Sequence, residues 1–186
     1  MTIRRVKDLR LTYALTEGGG ATAQNTTITL SNDTIRVSGS EAALENLGDT
    51  LSIGTINLAD ITKNTSVTFG ISLPDGITNL TGVTEVTADI SFHGLSIKEL
   101  TVTDIQSINI PEGLSVELIT EKLTVTLRGP TGLISKVTPE DLLVTVDFTG
   151  AEVGTSTFRA TVSLSGEYSA LGTVKTEPVS AKIDAE

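Results

Sequence analysis

Cysteine and tryptophan are both absent from the 186 residues, and histidine occurs once, at His93. Without cysteine the chain can form neither a disulfide nor a thiolate metal site. A lone imidazole cannot supply the nitrogen set of a transition-metal centre, so His93 reads as an ordinary surface residue. The aromatic residues are only Tyr13, Phe69, Phe92, Phe148, Phe158 and Tyr168, too sparse for a platform that stacks sugars, which argues against a carbohydrate-binding domain. Positive charge is scarce as well. Lys and Arg number 13 against 23 Asp and Glu, a net charge of −10, and a chain without a cationic surplus has little with which to displace counterions from a phosphate backbone. Nucleic acid is therefore not an expected partner. No apolar run is long enough to span a bilayer, so direct membrane insertion is not expected. The N-terminal stretch MTIRRVKDLRLTYAL lacks the apolar core of a signal peptide.

Motifs that carry chemistry are missing too. Glu17-Gly18-Gly19-Gly20 lacks the G-x-G-x-x-G spacing of a dinucleotide loop and reads as a turn or flexible loop. No G-x-S-x-G elbow activates any of the many serines and threonines. Their alternation with apolar residues places them on the solvent face of strands. Neither Glu140-Asp141 nor Asp147 with Glu152 fits a calcium loop. Glu140 and Asp141, after Pro139, read as turn or capping residues. The expectation is a protein with no catalytic residue, no cofactor and no metal.

What the chain does have is Val, Ile, Leu and Thr in alternation, and one pattern written twice. In Leu123–Val137, Leu123, Val125 and Leu127 alternate with polar residues as in a half-buried strand. Gly129-Pro130 reads as the stop of that strand. Leu133, Ile134 and Val137 then share one face of a short helix. Ninety residues earlier, Ile35 and Val37 alternate, Gly39 takes the corner, and Ala43, Leu44 and Leu47 make the helical face. The match runs on without a gap from Thr55–Leu58 to Thr145–Phe148. This order of strand, glycine corner, helical face and strand, found twice, points to an internal duplication, with each copy a small domain.

The expected fold is therefore all-β: two tandem small modules of twisted, mostly antiparallel sheet, each with one short helix after a glycine corner. Strands are expected at Val6–Leu15, Thr26–Leu30, Thr34–Ser38, Leu51–Leu58, Val67–Leu73 and Val83–Phe92. The second module repeats them up to Pro178–Ile183, whose leading proline suits a sheet edge. Residues 1–93 form the first module, 94–98 a short linker and 99–186 the second. The structural residues on which this reading rests are Gly39, Gly129, Pro130, Leu44, Leu47, Ile134 and Val137. At least one of the two glycines is expected to hold a backbone conformation that a side chain would resist.

The repeated unit resembles the YbbR domain, a family with a strand, a Gly-Pro-like corner, a short leucine-containing helical turn, a V-D-L-S-G strand end and a closing V-x-V-x-I run. The second copy carries Arg128-Gly129-Pro130, Val146-Asp147-Phe148-Thr149-Gly150 and Val179-Ser180-Ala181-Lys182-Ile183. The first carries Ser38-Gly39-Ser40, Ile56-Asn57-Leu58 and Val86-Thr87-Ala88-Asp89-Ile90, and lacks the proline and the aspartate. The resemblance implies a non-enzymatic module on the outer face of the cytoplasmic membrane of Gram-positive bacteria. It belongs there to a membrane-anchored protein that modulates a membrane-bound diadenylate cyclase, the source of cyclic di-AMP. On that reading the chain is a soluble fragment whose partner is the cyclase, reached through an anchor outside this sequence, or a component of the cell envelope. The alternative is a stalk or adhesin module of a cell-surface protein, against which the helical face after each glycine corner counts.

Overall fold

The computed structural model describes residues 4–186. Strand accounts for 56% of the chain and helix for 11%, so the fold class is all-β. The chain forms two compact units. One comprises the described residues of Met1–Glu17 with Thr22–His93; the other comprises Gly18–Ala21 with Gly94–Glu186. Four residues that a linear reading assigns to the first module thus belong to the second unit.

The first unit runs β1 (Arg5–Thr16), β2 (Thr26–Leu30), β3 (Thr34–Gly39), α1 (Glu41–Leu47), β4 (Thr50–Asn57), β5 (Thr65–Gly70), β6 (Thr78–Asn79) and β7 (Glu85–Phe92). Its strands form a sheet of order β4-β1-β3-β6 and a second of order β2-β7-β5. Strand β1 pairs antiparallel with β3 along its first half and parallel with β4 along its second, with a register shift between Thr12 and Ala14. Leu9, Leu11, Ile35, Val37, Leu44 and Val86 form its buried core, with Leu47, Leu51 and Ile53 packed against them. Alternation predicted the strand positions because each strand has one face in the core and one in water, and the helical face predicted Leu44 and Leu47.

The second unit runs β8 (Leu95–Val102), β9 (Ile105–Ile108), β10 (Leu114–Leu118), β11 (Leu123–Pro130), α2 (Thr131–Ile134), β12 (Leu142–Asp147), β13 (Gly154–Phe158), β14 (Ala160–Leu164), β15 (Gly172–Thr176) and β16 (Val179–Ala185). The pairing scheme of the first unit recurs. Strand β8 pairs antiparallel with β11 as β1 does with β3, and β9 pairs parallel with β12 as β1 does with β4. The sheet β10-β16-β13 matches β2-β7-β5, and β15 lies beside β11 as β6 lies beside β3. A break at Thr103-Asp104 divides in two the strand that β1 keeps whole. The second unit adds β14, antiparallel to β12. Its core is larger than the first and holds Phe148, whose ring lies 4.6 Å from that of Phe158 at an interplanar angle of 57°.

Several expectations are corrected. Gly129-Pro130 does not stop its strand, because β11 continues through both residues, with Gly129 opposite Ser96 and Pro130 opposite Leu95. Pro130 has φ −51 and ψ 128, an extended conformation natural to proline, and it stands at the last position of the strand, where a missing N–H matters least. Residues 94–98 are not a linker, since β8 begins at Leu95 and only His93 and Gly94 separate it from β7. Strand β16 is the centre of its sheet, not an edge. Pro178 precedes the strand and so removes no donor from it. Strands β6 and β15 go unsignalled by the sequence, and Phe158–Leu164, whose alternation matches that of the expected strand Val67–Leu73, divides at Arg159 between two sheets.

Candidate functional site

The two glycine corners occupy the same place in their units, between the helix and the strand before it, β3 in the first unit and β11 in the second. Ser40 caps α1, its Oγ accepting from the Ala43 N–H at 3.3 Å, and Gly48, at φ 74, ends it. Leu44 is buried and Leu47 packs beside it. In the second corner the Thr131 N–H and Oγ1 both donate to the Gly94 carbonyl, at 3.0 and 3.2 Å. Ile134 and Val137 are buried, and Val137 closes one further turn by donating to the Leu133 carbonyl at 3.1 Å.

Neither corner glycine has a positive φ, so the expectation of a left-handed residue fails and the reason for glycine is room. A Cβ on Gly39 would lie 2.7 Å from Ile77 Cδ1 and 3.4 Å from Leu44 Cγ. A Cβ on Gly129 would collide with Leu171 Cδ2 and stand 3.2 Å from Leu171 Cα. The seven predicted structural residues therefore gather at two packed corners, and none offers a reactive atom to solvent.

Beside the second corner sits a residue that the sequence reading missed. Arg128 is 1% exposed, the largest fully buried side chain among the described residues. Its Nε donates to the Gly19 carbonyl at 2.7 Å and its Nη2 to the Gly18 carbonyl at 3.1 Å. Gly18 and Ala21 exchange backbone hydrogen bonds, both 3.1 Å. Gly19 and Gly20 have φ 56 and 75, which only glycine adopts freely. Burial pushes the Arg128 pKa down, yet guanidinium stays charged in proteins, so the site must solvate a cation with fixed acceptors. Nothing in the sequence marks it, because Arg128 takes the polar place in a regular alternation; in the structure Leu127, Arg128 and Gly129 are consecutive buried residues.

The V-D-x-x-G strand end is an Asx turn. Asp147 Oδ1 accepts from the Thr149 N–H at 2.9 Å and from Thr149 Oγ1 at 2.7 Å. In the first unit, Asn57 Oδ1 accepts from the Ala59 N–H at 3.2 Å. Either side chain makes the turn, which explains why the first copy does without the aspartate. The hydrogen bonds from the Thr149 side chain, then its backbone, then the Asn109 side chain hold the Asp147 pKa below its ordinary 3.8. A depressed pKa adds stability above the unfolded value, and that stability is lost as pH falls through the folded one. Asp147→Asn is therefore expected to lower neutral-pH stability slightly, by the contribution that the ionised carboxylate makes, and to flatten the pH dependence below about pH 4. Urea midpoints measured from pH 2 to pH 7 check this, and an acid limb as steep as that of the parent chain contradicts it.

Other polar groups are engaged locally. His93 Nε2 lies 2.7 Å from Thr27 Oγ1. Ser66 Oγ donates to Asp89 at 2.5 Å in a shallow depression of the first unit, whose lining includes no imidazole. Asp8 and Arg36 form a two-pronged pair, at 2.7 and 3.1 Å, in another. Thr138 and Asp141 form a capping box around Pro139-Glu140, the capping role expected there. Among the described residues no three His, Asp or Glu side chains are grouped to hold a metal ion, and no helix is long and apolar enough to cross a membrane.

The corner with Arg128-Gly129-Pro130, the Asx turn at Asp147 and the closing strand β16 all fall within residues 100–185 or their immediate partners, and that stretch matches the family model for YbbR-like protein. Residues 100–185 form a YbbR-like domain. Solved structures with some likeness include the YbbR-like domain of a Listeria monocytogenes protein, 20% identical over 49% of this chain and 95% of that one, with a TM-score of 0.40. A Streptococcus thermophilus protein is 17% identical over 48% and 86%, TM-score 0.36. A YbbR-like protein from Streptococcus pneumoniae is 10% identical over 100% and 97%, TM-score 0.35. No curated protein matches the chain. The first unit repeats the pairing scheme of the second, apart from the added β14 and the break at Thr103-Asp104.

Proposed function

We propose that the chain is a non-catalytic interaction module, the extracytoplasmic part of a membrane-anchored protein that modulates a membrane-bound diadenylate cyclase. The YbbR-like match over residues 100–185 carries this reading. The corners support it in kind: their distinctive residues are spent on packing and backbone hydrogen bonding, which suits a rigid contact surface. The direct partner is the cyclase or a cell-envelope component, and the anchor passes the result across the membrane. Regulation of this kind needs two states with different contacts on the outer side. The test is co-expression of the anchored parent protein with its cyclase, measuring cyclic di-AMP with and without these two units. A changed level on deletion is the expected result. An unchanged level removes regulation from these units and leaves the cell-surface stalk.

A further inference from the structure

We propose that Arg128 and Gly172 form a recognition site in the second unit for a glycine-rich chain reversal, that Gly18–Ala21 is its occupant, and that Arg128 reads the reversal through its carbonyls. Three features of the geometry select the ligand. The guanidinium is a planar fork with fixed donor directions, and here two of its nitrogens meet successive carbonyls, those of Gly18 and Gly19. Two successive carbonyls converge on one fork because the chain reverses through left-handed residues, Gly19 at φ 56 and Gly20 at φ 75.

The second feature is backbone laid against backbone. A Cβ on Gly20 would fall on the Arg128 carbonyl, 2.7 Å from its carbon, and 3.0 Å from the Gly172 nitrogen. A Cβ on Gly172 would fall on the Gly20 nitrogen and lie 2.6 Å from Gly19 Cα. Both obstacles are main chain and cannot swing aside. The third feature is Ala21, which is 1% exposed, so the site accepts one small apolar side chain at the end of the turn. The ligand class is thus a tight Gly-Gly-Gly-small reversal, recognised through carbonyl direction and the absence of side chains. Lysine, a single point charge on a flexible stem, cannot reproduce the fork.

The experiment uses the full chain and two variants, Gly20→Val and Arg128→Lys, with amide hydrogen exchange as readout. Exchange at Gly172–Thr176 is expected to quicken at least tenfold in both, while the ladder between Thr26–Leu30 and Ala88–Phe92 in the first unit keeps its parent rates. Unchanged exchange at Gly172–Thr176 in Gly20→Val overturns the site. Unchanged exchange in Arg128→Lys overturns the reading role of the fork. Equal quickening in both units overturns the proposal too, since it marks a loss of the whole fold, not of one occupied site.

Discussion

Phe148→Ala lowers the stability of the second unit by about 3–5 kcal/mol, the largest loss expected from a single truncation in this chain. Phe148 is fully buried directly after β12 and packs against the ring of Phe158. Removing it takes away the transfer free energy of the ring, the aromatic contact and the neighbours' dispersion partners together. The unit has few ways to refill the space, because its other buried residues are aliphatics, most of them already seated on strands. A small domain has about 5–15 kcal/mol in total, so the variant sits near its limit. Tyr13 lies in the first unit and Tyr168 in the second, so tyrosine resonances followed through urea unfolding report each unit separately. The Tyr168 midpoint should fall sharply while that of Tyr13 holds. A change below about 1 kcal/mol at Tyr168 would mean that Phe148 is not the keystone of this core.

Gly129→Val is the second large effect, set at about 1–3 kcal/mol by the usual cost of overpacking. The collision is with Leu171, including its Cα, and β15 follows one residue later, so relief requires moving a strand. Gly39→Ala provides the contrast. Its nearest obstacle is Ile77 Cδ1, the far end of a flexible side chain, and with an ordinary φ the alanine regains some stability by restricting the unfolded chain. Its net cost should stay below about 1 kcal/mol. The same tyrosine-resolved unfolding decides it: equal losses at both corners would sink the assignment of Gly129 to backbone crowding.

The legible parts of this fold were those where side chains sort between water and core. Ile35, Val37, Val125 and Leu127 announced their strands because half-buried strands alternate. The duplication showed because the corner and the helical face kept their order. Strand β15 was invisible because Gly172-Thr-Val-Lys-Thr offers one apolar residue and no period. The corner glycines were found, but for the wrong cause: composition marks a glycine without saying whether it serves dihedral freedom or space. Arg128 was hidden most deeply. A charged residue in an alternating strand is read outward by default, and what pulls this one inward is a pair of carbonyls more than a hundred residues away.

The membership of Gly18–Ala21 in the second unit bears on how such chains can be cut and recombined. A gene exchange that respects the ninety-residue period would separate a buried cation from the oxygens that solvate it. Heritable units of this protein are thus better counted with an overlap than end to end, and a duplication arising by simple copying would have had to acquire that overlap afterwards.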